Sequence, residues 1–184
     1  MAVYDFKRIV RESYKVLLLT AMIGIISGYM LDKYSGQVTA IVLAMVPPIN
    51  GIGGNVGSIL GARLSSALHL GTLTPDLKNQ QTLQINVAAS TTMGILVFLL
   101  IGSLFLLTSI LSGRALAEAI RIALIFIGAG TLLMGLIIIT SLASAFASYR
   151  HGIDPDDVVI PIVTTLVDIG GVASLLIMVH IIGV

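Results

Sequence analysis

Long apolar runs separated by a few charged residues dominate the sequence. The uncharged stretch between Lys78 and Arg114 is 35 residues long, and the one between Arg121 and Arg150 is 28. A helix needs about 20 apolar residues to cross a bilayer, and these runs lack the alternation of a membrane β-barrel. The pattern therefore predicts an all-α integral membrane protein with five transmembrane helices, over residues 14–32, 37–70, 83–111, 119–148 and 158–183.

Prolines mark two helix boundaries. The second predicted helix is too long for one straight crossing, and we expect Pro47 and Pro48 to kink or break it because proline lacks a backbone donor. Before the fifth helix, Asp154 is a good N-cap and Pro155 suits the first helical position. The acidic residues of 154–157 are also consistent with a cation-attracting cytoplasmic mouth.

Basic residues indicate how the chain is oriented. Seven Lys and Arg residues flank the spans on the side of the N-terminus and three on the other side, which predicts a cytoplasmic N-terminus and an outside C-terminus in the cell membrane. Val3, Phe6 and Ile9 follow a helical spacing among basic residues, which is typical of an amphipathic helix on a membrane surface. We therefore divide the chain into an amphipathic cytoplasmic segment, 1–13, and a five-helix transmembrane domain, 14–184.

The composition excludes several classes of function. The chain is 57% hydrophobic and 10% charged, whereas soluble domains carry about 25% charge. A net charge of +1 argues against nucleic-acid binding, and the lack of cysteine excludes disulfides and thiol catalysis. The sequence contains no phosphate-binding loop, so we expect that the chain binds no nucleotide. We also expect no organic cofactor and no enzymatic activity, and any transport should be driven by ion gradients.

Asp168 is the one acidic residue in the interior of a predicted span, since Asp32 lies at the end of the first. It lies near mid-membrane, where a carboxylate costs at least ~2.5 kcal/mol and should face protein or water. Thr164, Thr165 and Gly171 lie one helical turn away on the same face. We expect the remaining apolar positions of this helix to face lipid: Ile160, Val163, Leu166, Ile169 and Leu176.

Two interpretations of Asp168 stay open at this point. It lines an ion pathway, or it forms a buried ion pair with Arg63. We favour the pathway, because Arg63 falls near the cytoplasmic end of the second helix and can extend its side chain to the interface.

The segment Pro47–Ser58 is rich in glycine and poor in side chains. Its freed carbonyls, two asparagine amides and the Ser58 hydroxyl are oxygen donors of the kind that hard cations prefer. Close helix packing through small residues explains the same composition, since Gly53, Gly57 and Gly61 follow a small-xxx-small spacing. The residues alone leave both interpretations open.

Two motifs in this order resemble a known family. The stretch Pro48–Ser58 followed by residues 62–67, and the stretch 152–168 ending on Asp168, are similar to the second and fifth membrane helices of MgtE-type magnesium channels and their eukaryotic solute-carrier relatives. Bacterial members often carry Asn-Gln where this chain has Ser58-Ile59, and they have cytoplasmic magnesium-sensing domains without a counterpart in this sequence.

The resemblance implies a homodimer in the lipid bilayer, with a central pore lined by helices two and five. It implies divalent cation transport driven by the electrochemical gradient, with Mg²⁺, or else Mn²⁺ or Co²⁺, as the transported ion. Asp168 would be the pore carboxylate, and further residues match pore-lining positions: Gly51, Gly54, Asn55, Ser58 and Thr164. A Na⁺- or H⁺-coupled exchanger and a non-transporting membrane scaffold are the alternatives.

Overall fold

The computed structural model describes residues 6–34, 36, 38–78 and 80–183, and within these residues it contains helices and no strand. The predicted all-α class is thus confirmed. The helices are α1 Phe6–Tyr34, α2 Ala40–Leu43, α3 Val46–His69, α4 Gln81–Leu111, α5 Leu116–Arg150 and α6 Pro155–Ile182.

Four helical segments of the described chain are long and apolar enough to cross a membrane. They are 40–69, 81–111, 116–150 and 155–182, with α2 and α3 together forming the first. They match four of the predicted spans.

The predicted first crossing, 14–32, lies inside α1, which runs unbroken from Phe6 to Tyr34. Val3 and the side chains of Phe6 and Ile9, on which the predicted surface helix depends, lie outside the described residues. Five crossings therefore stay a prediction.

The predicted break in the second span occurs just before its prolines. After α2 ends at Leu43, a turn at residues 44–45 precedes α3, and Pro47 and Pro48 lie in the first turn of α3. This location follows from the chemistry of proline, because the first N–H groups of a helix have no partner within it.

The turn between α5 and α6 sets where α6 begins. Gly152 has a φ of 70°, a left-handed conformation that glycine adopts at low cost at the end of a helix. Asp154 then accepts a hydrogen bond from the N–H of Asp156 at 3.0 Å, and Pro155 occupies the first helical position. The predicted N-cap is confirmed.

The core lies where α5 packs against α6, α4 and α3, and α3 packs in turn against α6 and α4, while α1 lies at the edge and packs chiefly against α6. The largest side chains at the centre of the core are fully buried: Phe98, Phe126, Leu133 and Ile137. As a result, α3 and α6 lie side by side with one face of each in the core and the other at the surface of the bundle.

Candidate functional site

Glycines on one face of α3 allow α6 to approach closely. A Cβ atom at Gly53 would lie 3.0 Å from Cγ1 of Val167, and one at Gly61 would lie 2.7 Å from Cγ1 of Val159. Midway between them, a Cβ at Gly57 would overlap Val163. The antiparallel helices therefore pack glycine against valine at every turn, as small-xxx-small contacts do in membranes.

The burial of Val163 corrects one expectation. The sequence pattern predicts a lipid-facing position, but Val163 is 1% exposed and packs against Gly57. Leu166, which was also expected to face lipid, is 38% exposed. Both lipid and protein core accept apolar side chains, so hydrophobicity could not distinguish the two positions.

Next to this packing face, α3 has a small and polar surface at the border of the bundle. Gly51 and Asn55 are exposed, and Gly54 and Ser58 are half-buried; we call these four residues the open face. Nothing lies within 4 Å of a Cβ atom placed at Gly51. The glycine-rich segment thus packs closely with one face, as predicted, and exposes polar groups on another. The freed backbone carbonyls expected within 47–58 are not found, because α3 runs unbroken from Val46 to His69.

Hydroxyl groups beside the open face are bonded within their own helices. Ser58 Oγ donates to the carbonyl of Gly54 at 2.8 Å, and Thr164 Oγ1 donates to the carbonyl of Ile160 at 2.9 Å. Thr164 also faces Gly54, since its Cγ2 would lie 3.7 Å from a Cβ atom there. Each hydroxyl uses its proton in this bond, so its oxygen is left as an acceptor for a cation or its hydration water.

Asp168 lies at the midpoint of the 28-residue α6 and is half-buried. Asn50 Nδ2, on α3, donates to Asp168 Oδ1 at 3.3 Å. Ser27 Oγ, on α1, donates to the backbone carbonyl of Asp168 at 2.7 Å. Three helices therefore meet at this residue.

The alternative partner, Arg63, does not pair with Asp168. Arg63 is exposed, and in the described part of the chain the Asp168 side chain accepts its hydrogen bond from Asn50. An amide leaves the carboxylate charge uncompensated, so Asp168 keeps the chemistry needed to attract a cation.

Sequence reasoning missed the roles of Asn50 and Ser27. Asn50 belongs to the segment identified as a source of oxygen donors, but only the packing of α3 on α6 shows that its amide reaches Asp168. Gly171 makes the room for it, because a Cβ atom there would overlap Asn50 Oδ1. The one signal in the sequence was a polar residue near the middle of a span, and this signal does not identify Asp168 as its partner.

The site offers one carboxylate and several neutral oxygen atoms. Among the described residues, no group of three or more His, Cys, Asp or Glu side chains could hold a metal ion. Neutral oxygens around a single carboxylate suit a hard cation that keeps part of its water shell.

Four helices long and apolar enough to cross a membrane, one with a carboxylate at its midpoint, are typical of a multi-pass membrane protein. The model of the MgtE family, described as a divalent cation transporter, matches residues 46–178. The chain belongs to this family, and the resemblance of its membrane helices is confirmed. A search of curated proteins and a search of solved structures each returned no match.

Proposed function

We propose that the chain carries Mg²⁺ across the cell membrane through a pore between two copies of itself, down the electrochemical gradient. The observation that carries the proposal is the half-buried Asp168 carboxylate at the midpoint of α6, next to the open face of α3 and free of any basic partner within the described residues. The same donors would accept Mn²⁺ or Co²⁺, which have the same charge.

The open face supports a pore between two subunits. In a single chain, Gly51 and Asn55 would meet lipid, where an amide without a hydrogen-bond partner is costly. A two-fold axis beside α3 would bring two open faces together and place two Asp168 residues on either side of a shared passage.

Water held between the two carboxylates would make such a passage suitable for Mg²⁺. This ion gives up its water reluctantly and prefers six oxygens in octahedral order, so each Asp168 would bind it through water, with Asn55 and Thr164 as further acceptors. Two carboxylates neutralise one divalent ion, which favours it over a monovalent one. A divalent ion entering a cell across 100 mV gains about 4.6 kcal/mol, so no other energy source is required.

The orientation proposed for the chain has a cytoplasmic N-terminus and an outside C-terminus. It follows from the excess of Lys and Arg on the N-terminal side of the spans. In this orientation Asp154, Asp156 and Asp157 lie at the cytoplasmic end of the pathway, where they would attract cations.

Replacing Asp168 with asparagine tests the proposal, because the side chain keeps its shape and loses its charge. Purified protein in liposomes with an inside-negative potential is expected to take up Mg²⁺, and Asp168→Asn is expected to reduce uptake to the level of empty liposomes. Glu118→Gln, an acid in the first turn of α5 that pairs with Arg114, is the matched control and should retain uptake.

Each other outcome contradicts a different part of the proposal. Unchanged uptake by Asp168→Asn would show that this carboxylate is not in the pathway. Uptake that requires an opposing Na⁺ or H⁺ gradient would identify an exchanger instead of a pore. Wild-type protein that neither binds nor carries divalent ions would be a scaffold.

A further inference from the structure

We propose that Asn50 determines ion specificity, by occupying one oxygen of Asp168 so that the carboxylate offers only the other to a passing ion. The proposal rests on the transport function proposed above. It concerns which divalent ion is carried, and it assigns to Asn50 a role in positioning Asp168.

The first observation is the hydrogen bond itself. Asn50 Nδ2 lies 3.3 Å from Asp168 Oδ1, and in the described part of the chain no second hydrogen bond reaches this carboxylate. The amide must present its nitrogen here, because its oxygen would be repelled by the carboxylate. Since Asp168 is half-buried, Oδ2 is the oxygen left for an ion or its water.

The second observation is that burying the Asn50 amide costs free energy. Its Oδ1 is buried and has no hydrogen-bond partner among the described residues, which is unfavourable for a polar atom. An apolar side chain of similar size would avoid that cost. The contact with Asp168 is the one feature of the described structure that explains an asparagine at this position.

The third observation is the space made for the amide. A Cβ atom at Gly171 would overlap Asn50 Oδ1 and would lie 3.2 Å from Cγ2 of Ile49. Glycine at position 171 therefore allows the amide to lie between α3 and α6 with its nitrogen toward Asp168. The hydrogen bond depends on this pair of residues together.

The chemistry of divalent ions turns this arrangement into a preference. Ca²⁺ accepts six to eight oxygens in flexible geometry and often takes both oxygens of one carboxylate, whereas Mg²⁺ needs octahedral order and keeps several waters. The hydrogen bond from Asn50 uses a lone pair of Oδ1 and withdraws negative charge from that oxygen. It therefore disfavours binding of an ion by both oxygens of Asp168. Oδ2 can still accept a hydrogen bond from water of a hydrated Mg²⁺, so Asn50 favours Mg²⁺ over Ca²⁺.

Asn50→Leu tests the inference, because leucine has a similar shape and no donor. Uptake of Mg²⁺ and of Ca²⁺ is measured separately in liposomes at the same potential. We expect the ratio of Ca²⁺ to Mg²⁺ uptake to rise roughly tenfold, the change that corresponds to about 1.4 kcal/mol. A merely structural role would lower both fluxes together and leave their ratio unchanged.

Gly171→Ala should also break the hydrogen bond between Asn50 and Asp168, since the added methyl group would displace the Asn50 amide without removing it. It should raise the ratio in the same direction. Gly135→Ala is the matched control, because nothing lies within 4 Å of a Cβ atom at that position of α5, and its ratio should equal that of the wild type.

The outcomes separate this inference from the proposed function. An unchanged ratio in Asn50→Leu would overturn the role of Asn50 while leaving transport intact. If Asn50→Leu does not fold, an unchanged ratio in Gly171→Ala overturns it equally. Wild-type liposomes without divalent uptake would instead overturn the transport function on which the inference rests.

Discussion

At the scale of single residues, Ser27 joins the edge helix to the centre of the candidate site. Ser27 is 7% exposed, and its hydroxyl donates to the backbone carbonyl of Asp168 at 2.7 Å. Because α1 packs chiefly against α6, this hydrogen bond lies in the main contact that holds α1 to the rest of the bundle.

Ser27→Ala is therefore expected to weaken the docking of α1. Loss of one buried hydrogen bond costs about 1 kcal/mol, which corresponds to a decrease of about 2–4 °C in the unfolding temperature of a chain of this size. Thermal unfolding in detergent measures it. Ser103→Ala is the control, since that exposed hydroxyl bonds to Leu99 within its own helix, and an equal decrease in both variants would contradict the role of Ser27.

At the scale of elements, α3 has two faces with different surroundings. Gly53, Gly57 and Gly61 pack against valines of α6, while the open face carries the exposed polar groups of the same helix. Their spacing of four residues places the three packing glycines on one side of the helix. The division explains how one glycine-rich segment supports both tight packing and a polar surface.

Gly57→Ala is expected to destabilise the protein, because the methyl group would overlap Val163. Overpacking of this kind costs about 1–3 kcal/mol, which thermal unfolding in detergent would detect. Adding Val163→Ala should recover part of the loss by removing the overlapping atoms.

Gly54→Ala is the matched control on the same helix. A Cβ atom there would lie 3.7 Å from Thr164 Cγ2, an ordinary contact, so this variant should remain close to the wild type in stability. Equal destabilisation by Gly54→Ala and Gly57→Ala would contradict the division of α3 into two faces.

At the scale of the whole molecule, the proposed homodimer makes a prediction that the composition helps to test. The chain contains no cysteine, so a single introduced cysteine is the only target for a thiol cross-linker. Ala62, one turn beyond Ser58, is exposed and continues the open face. Ala62→Cys should give a cross-linked dimer with a bifunctional maleimide in membranes.

Ile139→Cys is the control for this experiment. Ile139 is 69% exposed on α5. It lies two residues beyond Ile137, which packs against Gly57 of α3, so it points away from α3, and the Ile139→Cys variant should remain monomeric under the same treatment. Failure of Ala62→Cys to cross-link, or equal cross-linking at both positions, would place the interface elsewhere and remove the support for a pore beside α3.

The sequence alone determined the features that depend on neighbouring residues. Helix lengths follow from uncharged runs, the break before α3 from Pro47 and Pro48, the start of α6 from Asp154, and the depth of Asp168 from its position in its span. The family motifs are equally local, since each lies within one segment of the chain.

Only the tertiary structure decided which side chains meet. Asn50 and Asp168 are 118 residues apart, and Ser27 and Asp168 are 141 apart. The burial of Val163 is likewise decided by tertiary packing. In a membrane protein the lipid-facing and core-facing sides of a helix are both apolar, so the pattern of hydrophobic positions cannot orient a helix, and the packing of α3 and α1 against α6 decides which groups surround the carboxylate.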